Sequence, residues 1–232
     1  MEALLLAWYS QNARDLPWRH TRDPYAILVS EVMLQQTQVS RVLPRYLDWL
    51  ERWPDVESLA AAPAGDVIRA WSGLGYNRRA INLHRTAQAV AGRGRFPREI
   101  PELEALPGIG PYTARALACF AFGDPDYPPP PGRAFDWNQA LFDLGSTVCL
   151  ARRPRCAECP LAVGCPSAGT TFAPQRKQGP FEGSFRQRRS RLLRSIADAG
   201  ALDADGLDGD ALIALMRDGL VVIADGRAQL PA

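Results

Sequence analysis

Four of the five cysteines fall within 17 residues, as Cys149, Cys156, Cys159 and Cys165 in the order C-x6-C-x2-C-x5-C. Thiols at that density hold either disulfides or a metal. The apolar start, MEALLLAWYSQNARDLPW, has no basic region ahead of it and no small-residue cleavage site, so it reads as a helix rather than a signal peptide. The expected compartment is therefore the cytoplasm, where thiols stay reduced and a metal is the better reading. Structural zinc and an iron–sulfur cluster both take four thiolates. Zinc sites usually show two C-x2-C knuckles, and here a single C-x2-C pair has wider gaps on both sides. The spacing points to a [4Fe–4S] cluster in residues 149–165. Cys119 sits in an apolar segment and reads as core.

LPGIGPYTA (106–114) is a second chemical pattern. Gly108 and Gly110 at a turn between two helices let backbone approach a ligand closely. The N–H groups that start the next helix then face an anion. This is the helix–hairpin–helix pattern, a clamp on DNA phosphate without base preference; the plainer alternative is a tight turn between helices. Glu31, in VSEVMLQQ, is a carboxylate among Val, Met and Leu. Desolvation there raises its pKa and suits it to general-acid work, unless it faces solvent on an amphipathic helix. Lysine is nearly absent: of 27 basic residues only Lys177 is not Arg, so Schiff-base chemistry has one candidate.

These groups need a scaffold. The 232 residues, 47% hydrophobic and 22% charged with a net charge of +2, suffice for one or two folded domains. No apolar run is long enough for a membrane span. Apolar residues recur at helical spacing over 25–35, 39–53, 66–72, 79–91, 112–122 and 137–148, with Pro and Gly between them. Residues 1–170 are thus expected to be an all-α domain. Residues 171–232 read as a basic linker and a small module: a helix over 188–199, five aspartates, the helix GDALIALMRDG, and two strands around Asp225-Gly226. That order suits a winged-helix-like tail or a plain α/β tail.

Together LPWR (16–19), DPYAILVSEVMLQQTQV (23–39), GLGYNRR (73–79), LPGIGPYTA, NQALFDLGSTVC (138–149) and the cysteine set resemble the endonuclease III superfamily of DNA glycosylases. EVMLQQTQV is similar to the adenine-glycosylase (MutY-type) branch. The resemblance covers residues 8 to 165 and implies the helix–hairpin–helix glycosylase fold with its [4Fe–4S] loop. It also implies base-excision repair of adenine opposite 8-oxoguanine or guanine in double-stranded DNA, by a monomer associated with the nucleoid. On this resemblance Glu31 protonates the departing adenine. Gln35, Gln36, Thr37 and Tyr76 enter the duplex, and Gly108 and Gly110 grip its backbone. Leu16, Trp18 and Arg19 wall the adenine pocket, Arg19 also counting among the DNA contacts. The basic ARRPR (151–155) meets phosphate from the cluster loop. Tyr112 stands where bifunctional relatives carry a lysine nucleophile, which implies base removal without strand scission.

One family element has no counterpart. The superfamily's catalytic aspartate sits in a V-D-x-N-V-x-R pattern, and none occurs here. Between Gly123 and Asn138 lie only 14 residues, including DPDYPPPP, so the six-helix part is expected to be shortened at 123–137. Asp124, Asp126 and Asp136 are the nearby carboxylates. The alternative function is therefore a catalytically impaired or inactive relative that binds lesions. About 60 residues make up the tail from 171 onward, and they are expected to be too few for the larger β-rich domain with which many adenine glycosylases read 8-oxoguanine.

Overall fold

The segment PYAILVSEVML forms α2 (Pro24–Leu34), buried on nearly every side. Asp23 caps it, accepting hydrogen bonds from the N–H groups of Tyr25 and Ala26 at 3.1 and 3.2 Å, and Pro24 opens its first turn with φ already set for a helix. Glu31 is the one charged residue on this helix. The computed structural model describes residues 1–123, 134–173 and 179–232.

Packing divides the chain into two units. One comprises Asp23–Ala114 with Gly179–Ala232; the other comprises Met1–Arg22 with Arg115–Gln178. The C-terminal segment shares a core with the middle of the chain.

In the first of these units α2 is followed by α3 (Val39–Arg52), α4 (Val56–Ala61), α5 (Ala64–Ala70), α6 (Arg78–Arg93) and α7 (Ile100–Glu104). Trp49 packs edge-on against Trp53 and Trp71, with ring centroids 4.7 and 5.6 Å apart. The Trp49 indole N–H donates to the Tyr25 hydroxyl, which donates to the Trp53 carbonyl, so these buried polar groups are satisfied. Helix α8 (Pro111–Phe122) follows the hairpin and crosses from one unit to the other. Helices α4 and α7, of six and five residues, are too short to show periodicity and were not expected.

The C-terminal segment contributes α10 (Phe185–Ala199), β1 (Ala201–Asp203), α11 (Gly209–Arg217), β2 (Val222–Ala224) and β3 (Arg227–Gln229). The antiparallel sheet has the order β1-β3-β2, with Leu202 and Ile223 both opposite Ala228. Strand β1, hidden among the aspartates, was not expected. Leu193, Ile196, Leu215 and Leu220 form one cluster with Ile68 of α5 and Ile81 of α6. The carbonyl of Pro231 accepts the Gly65 N–H at 2.7 Å, tying the last residues to α5. Arginines that read as a basic surface are partly neutralised: Arg188 pairs with Asp208, Arg189 with Asp218 and Arg191 with Glu182.

In the other unit α1 (Glu2–Asn12) packs on α9 (Ala134–Thr147) through Leu5, Ala140, Leu144 and Val148, followed by the cysteine loop. Cys119 is buried, as its apolar surroundings require. Among the described residues no helix is long and apolar enough to cross a membrane.

Candidate active site and nucleic-acid interface

Glu31 is partly buried on α2. That burial pushes its carboxyl up to about 7, and a hydrogen bond from the Tyr112 hydroxyl pulls it back part of the way. At neutral pH about half of such carboxyls carry a proton, as a general acid requires. Tyr112 lies in the first turn of α8, half exposed, so the hairpin that starts this helix also places its hydroxyl at Glu31.

The hairpin itself runs from α7 through residues 105–110. Gly108 has φ +77°, and a Cβ there would lie 2.7 Å from the Cβ of Asn82, so only glycine fits. Gly110 differs: its φ is ordinary and nothing lies within 4 Å of an added Cβ. Open space at that backbone is what a phosphate would use. Thr86 of α6 donates to the Pro107 carbonyl at 2.8 Å and anchors the turn.

Two exposed loops carry the expected wedge residues in the same unit. Gln35, Gln36 and Thr37 follow α2, and Gln36 has φ +54°. Tyr76 precedes α6, is 52% exposed and has φ +46°. Both residues occupy the left-handed region that side chains seldom adopt.

Leu16, Trp18 and Arg19 are buried in the other unit. Arg19, expected also to contact DNA, has its guanidinium bonded inside the protein. Its two terminal nitrogens donate to Asp143 at 2.8 and 2.7 Å, and one also donates to the Arg14 carbonyl. Arg14 adds its Nε at 2.6 Å and its backbone N–H at 3.0 Å to the same carboxylate. Burial alone pushes Asp143 up, but Arg19 and Arg14 outweigh it and hold the carboxyl below its ordinary value. Asp143 was not singled out from sequence, although it lies within NQALFDLGSTVC. Asp136 is exposed in the first turn of α9; Asp124 and Asp126 lie outside the described residues.

Cys149, Cys156, Cys159 and Cys165 all line one cavity, together with Val148, Leu150 and Phe172. The Gly169 N–H donates to Cys156 Sγ at 3.2 Å. Among the described residues no three His, Cys, Asp or Glu side chains close around a single metal ion. Arg152 and Arg153 of ARRPR are exposed.

A buried helix carrying one carboxyl, a two-glycine turn between helices and two exposed strained loops are the features to set beside comparisons with known proteins, which point to a class of DNA-repair protein. The family model for HhH-GPD superfamily base excision DNA repair protein matches residues 29–199. The chain is 40% identical to the adenine DNA glycosylase of Mycolicibacterium smegmatis, covering 97% of this chain and 94% of that protein. The Mycobacterium tuberculosis adenine DNA glycosylase is 39% identical, with 98% and 92% covered. A thermostable thymine-DNA glycosylase superposes with a TM-score of 0.62 at 27% identity, over 70% of this chain and 95% of that one. An endonuclease III–DNA complex gives 0.59 at 21% identity, over 71% and 92%, and supports the fold. The chain belongs to the HhH-GPD superfamily of base excision DNA repair proteins.

Proposed function

We propose that the protein is a monofunctional adenine DNA glycosylase that removes adenine opposite 8-oxoguanine or guanine. The observation that carries this reading is the pair Glu31–Tyr112: a carboxyl raised to about 7, with a tyrosine rather than a lysine beside it. Adenine is a poor leaving group as an anion. Glu31 in its acid form donates a proton to a ring nitrogen, the bond from sugar C1′ to adenine N9 breaks, and its electron pair leaves with the neutral base. Water adds to the resulting sugar cation and loses a proton. The Tyr112 hydroxyl stabilises the Glu31 carboxylate left behind. Asp143 fixes Arg19 in the other unit.

The cysteine loop fits a [4Fe–4S] cluster. Four thiol donors line one cavity, and the Gly169 N–H is the kind of donor that stabilises thiolate sulfur. Cys149, Cys156, Cys159 and Cys165 would hold it. When bound, such a cluster would supply a rigid core for the loop and a redox-active centre. We place the protein as a monomer on cytoplasmic, nucleoid DNA.

One observation favours the alternative of a lesion-binding relative with impaired turnover. The match to the Mycolicibacterium smegmatis protein runs over 280 positions, more than the 232 residues of this chain, so that protein carries dozens of positions without counterpart here. The missing V-D-x-N-V-x-R pattern agrees with such a loss, and transition-state charge stabilisation is often a large catalytic term. Free adenine released from a duplex with adenine opposite 8-oxoguanine separates the readings. The glycosylase releases it without strand breaks and without a borohydride-trapped adduct. A tight complex with no free adenine establishes the binder.

A further inference from the structure

The two insertion loops converge on one side chain. Arg79, in the first turn of α6, donates from Nη1 to the carbonyls of Val32, Met33 and Gln35 at 2.7, 3.3 and 2.8 Å. Its Nη2 donates to Thr37 Oγ1 at 3.3 Å, and to the carbonyls of Leu74 and Gly75 at 3.3 and 3.1 Å. One nitrogen thus holds the end of α2, while the other joins the loop after it to the loop before α6. The guanidinium carbon lies 5.2 Å from the Trp71 ring centroid and 5.6 Å from that of Tyr76. Its Nε is buried without a protein partner, a cost accepted for this placement.

What Arg79 fastens is strained. Among the described residues three non-glycines have positive φ: Gln36, Tyr76 and the hairpin residue Asp225. Two of the three are wedge tips. Such backbone persists only where its surroundings hold it, and it concentrates at functional sites. An isolated wedge would relax toward ordinary φ and move its side chain.

We propose that Arg79 is a positioning residue for base extrusion, locking Gln36 and Tyr76 at a fixed spacing so that both enter the duplex as one clamp. This inference rests on the glycosylase reading above. Arg79 acts through the two loops; it need not touch DNA itself.

Arg79→Lys tests it, because a compact ammonium keeps the charge but cannot satisfy carbonyls on both sides of a planar fork. The probe is a duplex with fluorescent 2-aminopurine in place of the target adenine, opposite 8-oxoguanine. A second duplex carries the same base opposite an abasic gap, where unstacking is already cheap. The clamp predicts a loss of about tenfold or more in affinity for the extruded state on the paired duplex, and less than about twofold on the gapped one. In a Gln36→Ala/Tyr76→Ala background the lysine substitution should cost no more than about twofold, since nothing remains to position. Equal loss on both duplexes, or undiminished loss without the wedges, overturns the proposal and leaves Arg79 a structural residue. Arg79→Gln gives the same comparison should the lysine protein fail to fold. Wild-type protein that unstacks neither base sinks the glycosylase reading and this inference with it. A responsive wild type matched by Arg79→Lys sinks the inference alone.

Discussion

The Tyr112 hydroxyl, at the start of the helix that follows the two-glycine hairpin, donates a hydrogen bond to the Glu31 carboxyl on α2. The group that would grip the backbone and the group that would protonate the base are therefore set by the same turn. Misplacing the hairpin would misplace the acid's partner.

This pair has a signed pH dependence. Glu31 must be protonated to donate, so excision should fall as pH rises through about 7. Tyr112→Phe removes the hydrogen bond that lowers the carboxyl, so the alkaline limb should move to higher pH while the rate at low pH changes less. Single-turnover rates between pH 5 and 9 check this. A limb that stays put, or moves down, rejects Tyr112 as the partner.

Stability carries an independent signature. The folded value of Glu31, about 7, lies above its ordinary 4.5, so the fold favours the neutral form. The stability contributed by that form is complete below 4.5 and is lost as pH rises to about 7. Glu31→Gln should therefore be more stable than wild type at pH 8 by about 1–3 kcal/mol and nearly equal at pH 4. Denaturant melts at the two pH values measure the difference.

Asp143 has the opposite sign. Its folded pKa lies below the ordinary 3.8, so its stabilising effect is present above that value and disappears as pH falls through the folded one. Asp143→Asn leaves Arg19, only 6% exposed, without its counter-charge and should cost about 3–5 kcal/mol. Thermal melts would show a large fall, with Arg14→Ala milder because Arg14 is more exposed.

The two hairpin glycines should separate folding from binding. Gly108→Ala meets Asn82 and a positive φ, and should destabilise by about 1–3 kcal/mol. Gly110→Ala has room and an ordinary φ, so the melt should hardly change while duplex affinity falls. Equal affinity for Gly110→Ala and wild type would remove that backbone from the phosphate contact.

Much of the site was legible because its chemistry is local. The cysteine spacing, the lone charge of VSEVMLQQ and the glycines of LPGIGPYTA each lie within one short window. Residues whose work is joining distant segments were not legible. Asp143 meets Arg14 from 129 positions away, and Arg79 reaches Gln35 across 44. Their types say only that they are charged. The carboxylate that holds Arg19 was hidden for the same reason: nothing near Arg19 in sequence announces it. Strand β1 likewise exists only through its pairing with β3.

The most direct measurement is a single-turnover assay on a duplex with one adenine opposite 8-oxoguanine, followed by alkali to reveal abasic sites, with Glu31→Gln alongside. The account predicts abasic product from the wild type, none from Glu31→Gln, and no strand break before alkali. No product from the wild type despite tight binding would contradict it and identify the protein as a lesion binder that has lost turnover.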